Sequence, residues 1–68
     1  MTIEQCNEKL RNDYGQNISV QVKSCIEDDG SVWYYYTTAR YGDIAAFETI
    51  EKAYDAACLY LSYVGDLW

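Results

Sequence analysis

The sequence predicts an α+β domain in the order α-β-β-β-α, with a three-stranded antiparallel sheet and two helices packed on one face. Three observations lead to this fold class. Apolar residues recur at helical spacing towards both ends of the chain, they alternate with polar residues in the middle, and glycine-containing turns separate the alternating segments. A length of 68 residues predicts one domain, spanning 1–68, with a small core.

The first element is predicted to be a helix over 2–14. Thr2 and Gln5 have the spacing of a capping box, in which each side chain bonds the backbone of the other residue. Gly15 follows as a stop in the left-handed conformation. Between these signals, one apolar face recurs every three or four residues, at Ile3, Cys6, Leu10 and Tyr14.

Three strands are predicted in the middle of the chain. The first has an apolar face at alternate positions, formed by Ile18, Val20, Val22 and Ile26. A turn at 28–31 leads to a second strand over 32–40, which is dense in β-branched and aromatic residues. A turn at 40–43 precedes a short third strand over 44–47.

The last element is predicted to be an amphipathic helix that Thr49 caps, with Glu51 in its first turn and Gly65 at its end. A short tail, 66–68, follows it. One broad face of this helix is apolar and is expected to pack on the sheet; it consists of Ile50, Ala53, Tyr54, Ala57, Cys58, Tyr60, Leu61 and Val64.

Four consecutive aromatic residues make the second strand unusual, and their side chains alternate between the two faces of the sheet. A two-residue turn at Asp29 and Gly30 would bury Trp33 and Tyr35 and expose Tyr34 and Tyr36. A three-residue loop with Gly30 in a bulge would shift the register by one residue and reverse the faces. We favour the first register, because burial of tryptophan contributes most to stability, and the second stays open.

The residue types present argue against catalysis, metal binding and a cofactor. The chain has no histidine, so it lacks the commonest general base and the usual Cys/His zinc ligands. Cys6, Cys25 and Cys58 are far apart and odd in number, which predicts small core hydrophobes in a reducing compartment. No basic-then-apolar leader and no long apolar run is seen, and we expect a cytoplasmic, non-enzymatic protein.

Charge is the strongest functional signal in the composition. Eleven acidic residues oppose five basic ones, a net charge of −6, which favours basic partners over nucleic acid or anionic membranes. The acids cluster at the hairpin turn and along the last helix. With the tyrosines expected on the open sheet face, they form the predicted partner-binding set: Glu27, Asp28, Asp29, Tyr34, Tyr36, Glu48, Glu51 and Asp55.

A second candidate surface is apolar. Leu59 and Tyr63 are one turn apart on the predicted outward side of the last helix, and Leu67 and Trp68 could extend this spot. Such a cluster is typical of a contact with a protein partner or with a second copy of the chain.

In size, charge and element order the chain resembles small acidic phage-encoded inhibitors, among them anti-CRISPR proteins and DNA mimics. This resemblance implies binding to a basic surface of a CRISPR effector or nuclease in the host-cell cytoplasm. The carboxylates would occupy a nucleic-acid site and the tyrosines would anchor the contact. A structural or adaptor subunit, possibly a homodimer, that associates through the apolar helix spot or an edge strand is the alternative. The element order also resembles double-stranded-RNA-binding domains, but the chain lacks their basic patch.

Overall fold

The computed structural model describes residues 1–64 and confirms the predicted fold class. The strands form one antiparallel sheet in the order β1-β2-β3. Gly65 and the tail 66–68 lie outside the described residues. The elements are α1 (Ile3–Tyr14), β1 (Gln21–Ile26), β2 (Val32–Thr38), β3 (Gly42–Phe47) and α2 (Ile50–Val64).

Helix α1 begins with the predicted capping box. The Gln5 amide donates to Thr2 Oγ1 at 3.1 Å, and the Thr2 amide donates to Gln5 Oε1 at 2.9 Å. At the other end, the Gly15 amide donates to the Arg11 carbonyl at 2.9 Å. Gly15 has φ 128° and ψ 144°, so it ends the helix with a positive φ but outside the left-handed helical region that we predicted.

The register of the first hairpin differs from the one we favoured. Ile26 pairs with Val32 and Val22 pairs with Tyr36, so the face assignment based on a two-residue turn is wrong. The Glu27 amide donates to the Ser31 carbonyl, and the Gly30 amide donates to the Glu27 carbonyl, each at 2.9 Å. Gly30 has φ 86°. This is a three-residue loop with glycine in the bulge position, the alternative that the sequence left open.

The core therefore contains Tyr36 rather than Trp33. The Tyr36 side chain is only 6% exposed, and its ring stacks on Phe47 at 6.1 Å between centroids and lies 5.8 Å from Tyr60. Both helices contribute to the same cluster, which places them on one face of the sheet. The buried cluster comprises Cys6, Leu10, Val20, Val22, Tyr36, Ala53, Ala57 and Leu61.

Two further expectations from the sequence are corrected. Ile26, predicted on the buried face of β1, is 75% exposed, because the helices do not cover the hairpin end of the sheet. Cys25 is exposed rather than in the core, since it lies on the open face opposite Trp33. Cys6 is buried as predicted, and Cys58 is half-buried.

The second hairpin turn lies two residues earlier than predicted, with β2 ending at Thr38 and β3 beginning at Gly42. Thr38 Oγ1 accepts from the Tyr41 amide at 2.8 Å and donates to the Gly42 carbonyl at 3.3 Å. At the other end of β3, Phe47 pairs with Tyr34 but Ala45 pairs with Tyr35, so one extra residue bulges. The bulge directs Phe47 towards the core beside Tyr36.

Helix α2 begins where predicted. Thr49 Oγ1 accepts from the Lys52 amide at 3.1 Å, and the Thr49 carbonyl accepts from the Ala53 amide at 3.2 Å. Ala53, Ala57 and Leu61 are buried in the core, which confirms the predicted apolar face over residues 50–61. The side chain of Val64, the last residue predicted for this face, lies outside the described part of the chain. No helix within residues 1–64 is both long and apolar enough to cross a bilayer.

One side chain of α1 joins the helix to the outer edge of the sheet. Asn7 Oδ1 accepts from the Val22 amide at 2.7 Å, and Asn7 Nδ2 donates to the Val22 carbonyl at 3.1 Å. β1 is an edge strand, so these two backbone groups point away from β2 and would otherwise face solvent. The amide side chain of Asn7 thus replaces a neighbouring strand at this one residue.

Candidate partner-binding surface

The antiparallel topology brings three acidic segments to one end of the molecule. Phe47, at the end of β3, pairs with Tyr34 near the start of β2, so α2 begins beside the first hairpin. The amino group of Met1 lies 4.0 Å from Glu51, so α1 also begins at this end. We call the exposed carboxylates gathered there the acid end: Glu4, Glu27, Asp28, Asp29, Glu48 and Glu51.

The acid end keeps its negative charge, because its cationic partners are few and exposed. Lys52 lies 3.9 Å from Glu48, and both side chains are mostly in solvent, where ion pairs are weak. The contact between Glu51 and the amino terminus is similarly long, at 4.0 Å. Glu4 and Glu51 are also in the first turns of their helices, where the macrodipole stabilises negative charge. These acids therefore stabilise the fold while they remain available to a partner.

A short chain of hydrogen bonds orders the hairpin. Asp29 Oδ1 accepts from the Ser31 amide at 2.9 Å and from the Ser31 hydroxyl at 2.6 Å. The same hydroxyl accepts from Trp33 Nε1 at 3.0 Å. The Ser31 hydroxyl, followed by the Ser31 backbone, holds the pKa of Asp29 below its ordinary value. The indole is thus fixed beside a carboxylate that stays ionised.

The open face of the sheet carries an aromatic pair that the predicted site did not include. Trp33 and Tyr35 are half-buried and lie opposite Cys25 and Lys23 in β1. Aromatic rings of this kind contribute large contact areas at protein interfaces. The alternative register, with Gly30 in a bulge, would have predicted that Trp33 and Tyr35 lie on the open face.

The predicted role of Tyr34 and Tyr36 as open-face contacts is corrected. Tyr36 is in the core, where burial, followed by the nearby Tyr60, raises the pKa of its hydroxyl. Tyr34 is half-buried and packs against the same core cluster. Both residues point to the helix side because Ser24 and Val22 are their partners in β1.

The hairpin extends beyond the helices and leaves a second apolar pair uncovered. Ile26 and Val32 are directly opposite each other and are 75% and 46% exposed. They lie on the helix side of the sheet, whereas Trp33 is on the open side. The hairpin therefore offers apolar side chains on both faces, next to the three acids of its loop.

The predicted apolar spot on α2 is exposed but lies away from the acid end. Leu59 is 58% and Tyr63 is 85% exposed, as expected from their outward positions. Exposed Tyr41, from the turn between β2 and β3, meets Tyr60 edge-on at 6.2 Å and extends the apolar surface near this end of α2. Asp55 lies between the two surfaces, one turn beyond Glu51. Leu67 and Trp68 lie outside the described residues.

Within residues 1–64, no group of three or more Cys, Asp or Glu side chains is placed to hold a metal ion. The surface described above consists of exposed carboxylates and of aromatic and aliphatic side chains. Comparison of the chain with protein-family models, curated proteins and solved structures finds no match.

Proposed function

We propose that this protein is a non-enzymatic inhibitor that occupies a basic, nucleic-acid-binding surface of a nucleic-acid-processing complex, such as a CRISPR effector. The acid end supplies the carboxylates that pair with lysine and arginine of the partner. Trp33 and Tyr35, beside it on the open face, supply the apolar anchor. Nucleic acid itself is not a partner, because the net charge of −6 repels phosphates.

One observation supports this proposal above the others. Three acidic segments that are separate in sequence lie towards one end of the molecule, and the hairpin segment among them carries an indole that bonds to Ser31. Charge complementarity speeds association and selects the partner, whereas a fixed aromatic ring binds with little further loss of conformational entropy. A composite of the two is what a tight inhibitor of a basic site requires.

The test is cleavage of target DNA by purified CRISPR effector complexes in the presence of increasing amounts of the protein. We expect half-inhibition of at least one complex at low salt, with weaker inhibition as salt increases. The triple variant Asp28→Asn, Glu48→Gln, Glu51→Gln removes charge from two segments of the acid end, the hairpin loop and the start of α2, but leaves the Asp29–Ser31 bonds intact. It should require at least tenfold more protein for half-inhibition.

A matched variant controls for net charge. Glu8→Gln, Asp13→Asn, Asp43→Asn removes the same three charges from exposed positions away from the acid end and should inhibit like the wild type. Equal inhibition by both triple variants would show that the acid end does not bind the partner. Failure of the wild type against every complex would rule out the CRISPR form of the proposal.

The alternative function, a structural or adaptor subunit, rests on the exposure of Leu59 and Tyr63. An apolar contact there would be insensitive to salt and would be lost in Tyr63→Asp. Binding to the inhibited complex should be unchanged in Tyr63→Asp if the acid end carries the function.

A further inference from the structure

The outer edge of β1 is only partly covered. Its strand neighbour is β2 on one side, and Asn7 holds the backbone of Val22 on the other. Backbone groups in an antiparallel pair alternate in direction from residue to residue. Since those of Val22 point outward, those of Ser24 and Ile26 do so as well, and within residues 1–64 neither acquires a side-chain or loop partner there.

The charged side chains along this open stretch of β1 are complementary to those of a second, antiparallel copy of the same strand. Lys23, Cys25 and Glu27 are exposed at alternate positions, with the cysteine midway between a cation and an anion. Neither Lys23 nor Glu27 takes part in an ion pair within the described part of the chain. Suppose that two copies of β1 lie side by side and are related by a twofold axis that passes between their Cys25 residues, perpendicular to the sheet. Lys23 of each copy then lies opposite Glu27 of the other.

We propose that the protein self-associates through β1, with a twofold axis at Cys25 that joins two sheets into one of six antiparallel strands. Ser24 of each copy pairs with Ile26 of the other, and each such pair exchanges two backbone hydrogen bonds. Cys25 then lies opposite its own copy in a pair without hydrogen bonds, at a Cα separation of about 4.5 Å. The ladder ends at Val22, because Asn7 already holds that residue.

This dimer would provide partners for three kinds of groups that have none in the single chain: backbone groups, charged side chains and an apolar side chain. The open backbone of Ser24 and Ile26 becomes paired, two Lys23–Glu27 pairs form across the axis, and the largely exposed Ile26 side chain is covered by the neighbouring strand. The contact is short, so the dimer should be weak and should exchange on dilution. It does not depend on the inhibitory function.

Disulfide trapping tests the register. Diamide removes two electrons and two protons from a pair of opposed Cys25 thiols, forms the disulfide and is itself reduced to the hydrazine. A Cα separation of about 4.5 Å lies within the range that a disulfide spans. We expect a covalent dimer on non-reducing gels for the wild type and none for Cys25→Ser, since Cys6 is buried and Cys58 half-buried.

A charge swap distinguishes disulfides that form in the proposed register from disulfides that form in random encounters of two molecules. Lys23→Glu places like charges across the axis and should reduce the trapped fraction several-fold. The double variant Lys23→Glu, Glu27→Lys restores opposite charges and should restore the trapped fraction. No restoration would overturn the register, provided that circular dichroism shows both variants folded.

Sedimentation without oxidant tests the association itself. We expect the wild type to dimerise reversibly at high concentration and Ile26→Lys to remain monomeric at the same concentration. A wild type that stays monomeric up to about 1 mM, equivalent to a binding free energy weaker than about −4 kcal/mol, would overturn the proposal. Glu27 also belongs to the acid end, so the charge-swap variants are used for trapping alone. The triple variant Asp28→Asn, Glu48→Gln, Glu51→Gln keeps Lys23, Cys25, Ile26 and Glu27, so the dimer and the inhibitory function can fail separately.

Discussion

At the scale of single residues, Ser31 connects the first hairpin loop to the aromatic strand β2. Its amide and hydroxyl both donate to Asp29, and its hydroxyl accepts from the indole of Trp33. A loop serine therefore lowers the pKa of one carboxyl group and holds one aromatic ring by a hydrogen bond. The sequence predicted the turn at this position, and Ser31 and Trp33 lie two residues apart on an extended segment, so their side chains share a face in either register.

We predict that Ser31→Ala raises the pKa of Asp29 towards its ordinary value. The Ser31 hydroxyl is the largest cause of the lowered pKa, and only the backbone donor would remain. Carboxyl carbon shifts followed by NMR across acidic pH measure this change, and Trp33 fluorescence reports the loss of the indole bond. Ser62→Ala, an exposed change on α2, is the control and should move neither signal.

At the scale of elements, local sequence signals were sufficient to predict where the helices begin, but not which face of a strand is buried. Thr2 and Thr49 cap the helices as predicted, because a cap involves residues only three apart. The faces of β2 depend on whether the loop before it has two or three residues, and Gly30 suits both loops. Ile26 follows the expected alternation but remains exposed, since the reach of the helices over the sheet is a tertiary property.

The contact between Asn7 and β1 should contribute measurably to stability. Asn7→Ala removes both bonds to the Val22 backbone, and we expect the free energy of unfolding to fall by about 2 kcal/mol. Urea denaturation measures this loss. Asn12→Ala, whose side chain bonds only to Gln16 in solvent, should change stability by less than about 0.5 kcal/mol. Equal losses in both variants would contradict a specific role for Asn7.

At the scale of the whole molecule, the acid end and the exposed apolar residues of α2 form two separate surfaces. Carboxylates gather where both helices begin, whereas Leu59, Tyr63 and Tyr41 are exposed towards the other end. The sequence predicted the acidic segments and the outward helix residues individually. Their grouping into two surfaces follows from the pairing of β2 with β3, which no local pattern contains. Trp33 and Tyr35 lie on the open face because of the register between β1 and β2.

The whole fold should lose stability at alkaline pH. Burial raises the pKa of Cys6 from 9.0 to about 11, and burial also raises the pKa values of Tyr36 and Tyr54. The folded state thus favours the protonated thiol, so this contribution is complete below about pH 9 and is lost as the pH rises towards 11. Urea denaturation at pH 8 and at increasing pH should show a continuous decline.

Cysteine variants identify the part of this decline that belongs to the core thiol. Cys6→Ala should lower stability at neutral pH and flatten the alkaline decline, whereas Cys25→Ala, on the surface, should retain the wild-type slope. An unchanged slope in Cys6→Ala would assign the decline to the tyrosines alone.

The order β1-β2-β3 also has a consequence for how the chain folds. Each strand pairs with the strand that follows or precedes it in sequence, through a turn of a few residues. No strand pair requires the closure of a long loop, so little conformational entropy is lost before the first contacts between strands form. The sheet can therefore form first, from the centre of the chain. The two helices, one before and one after the strands in sequence, can then pack on its one covered face in either order.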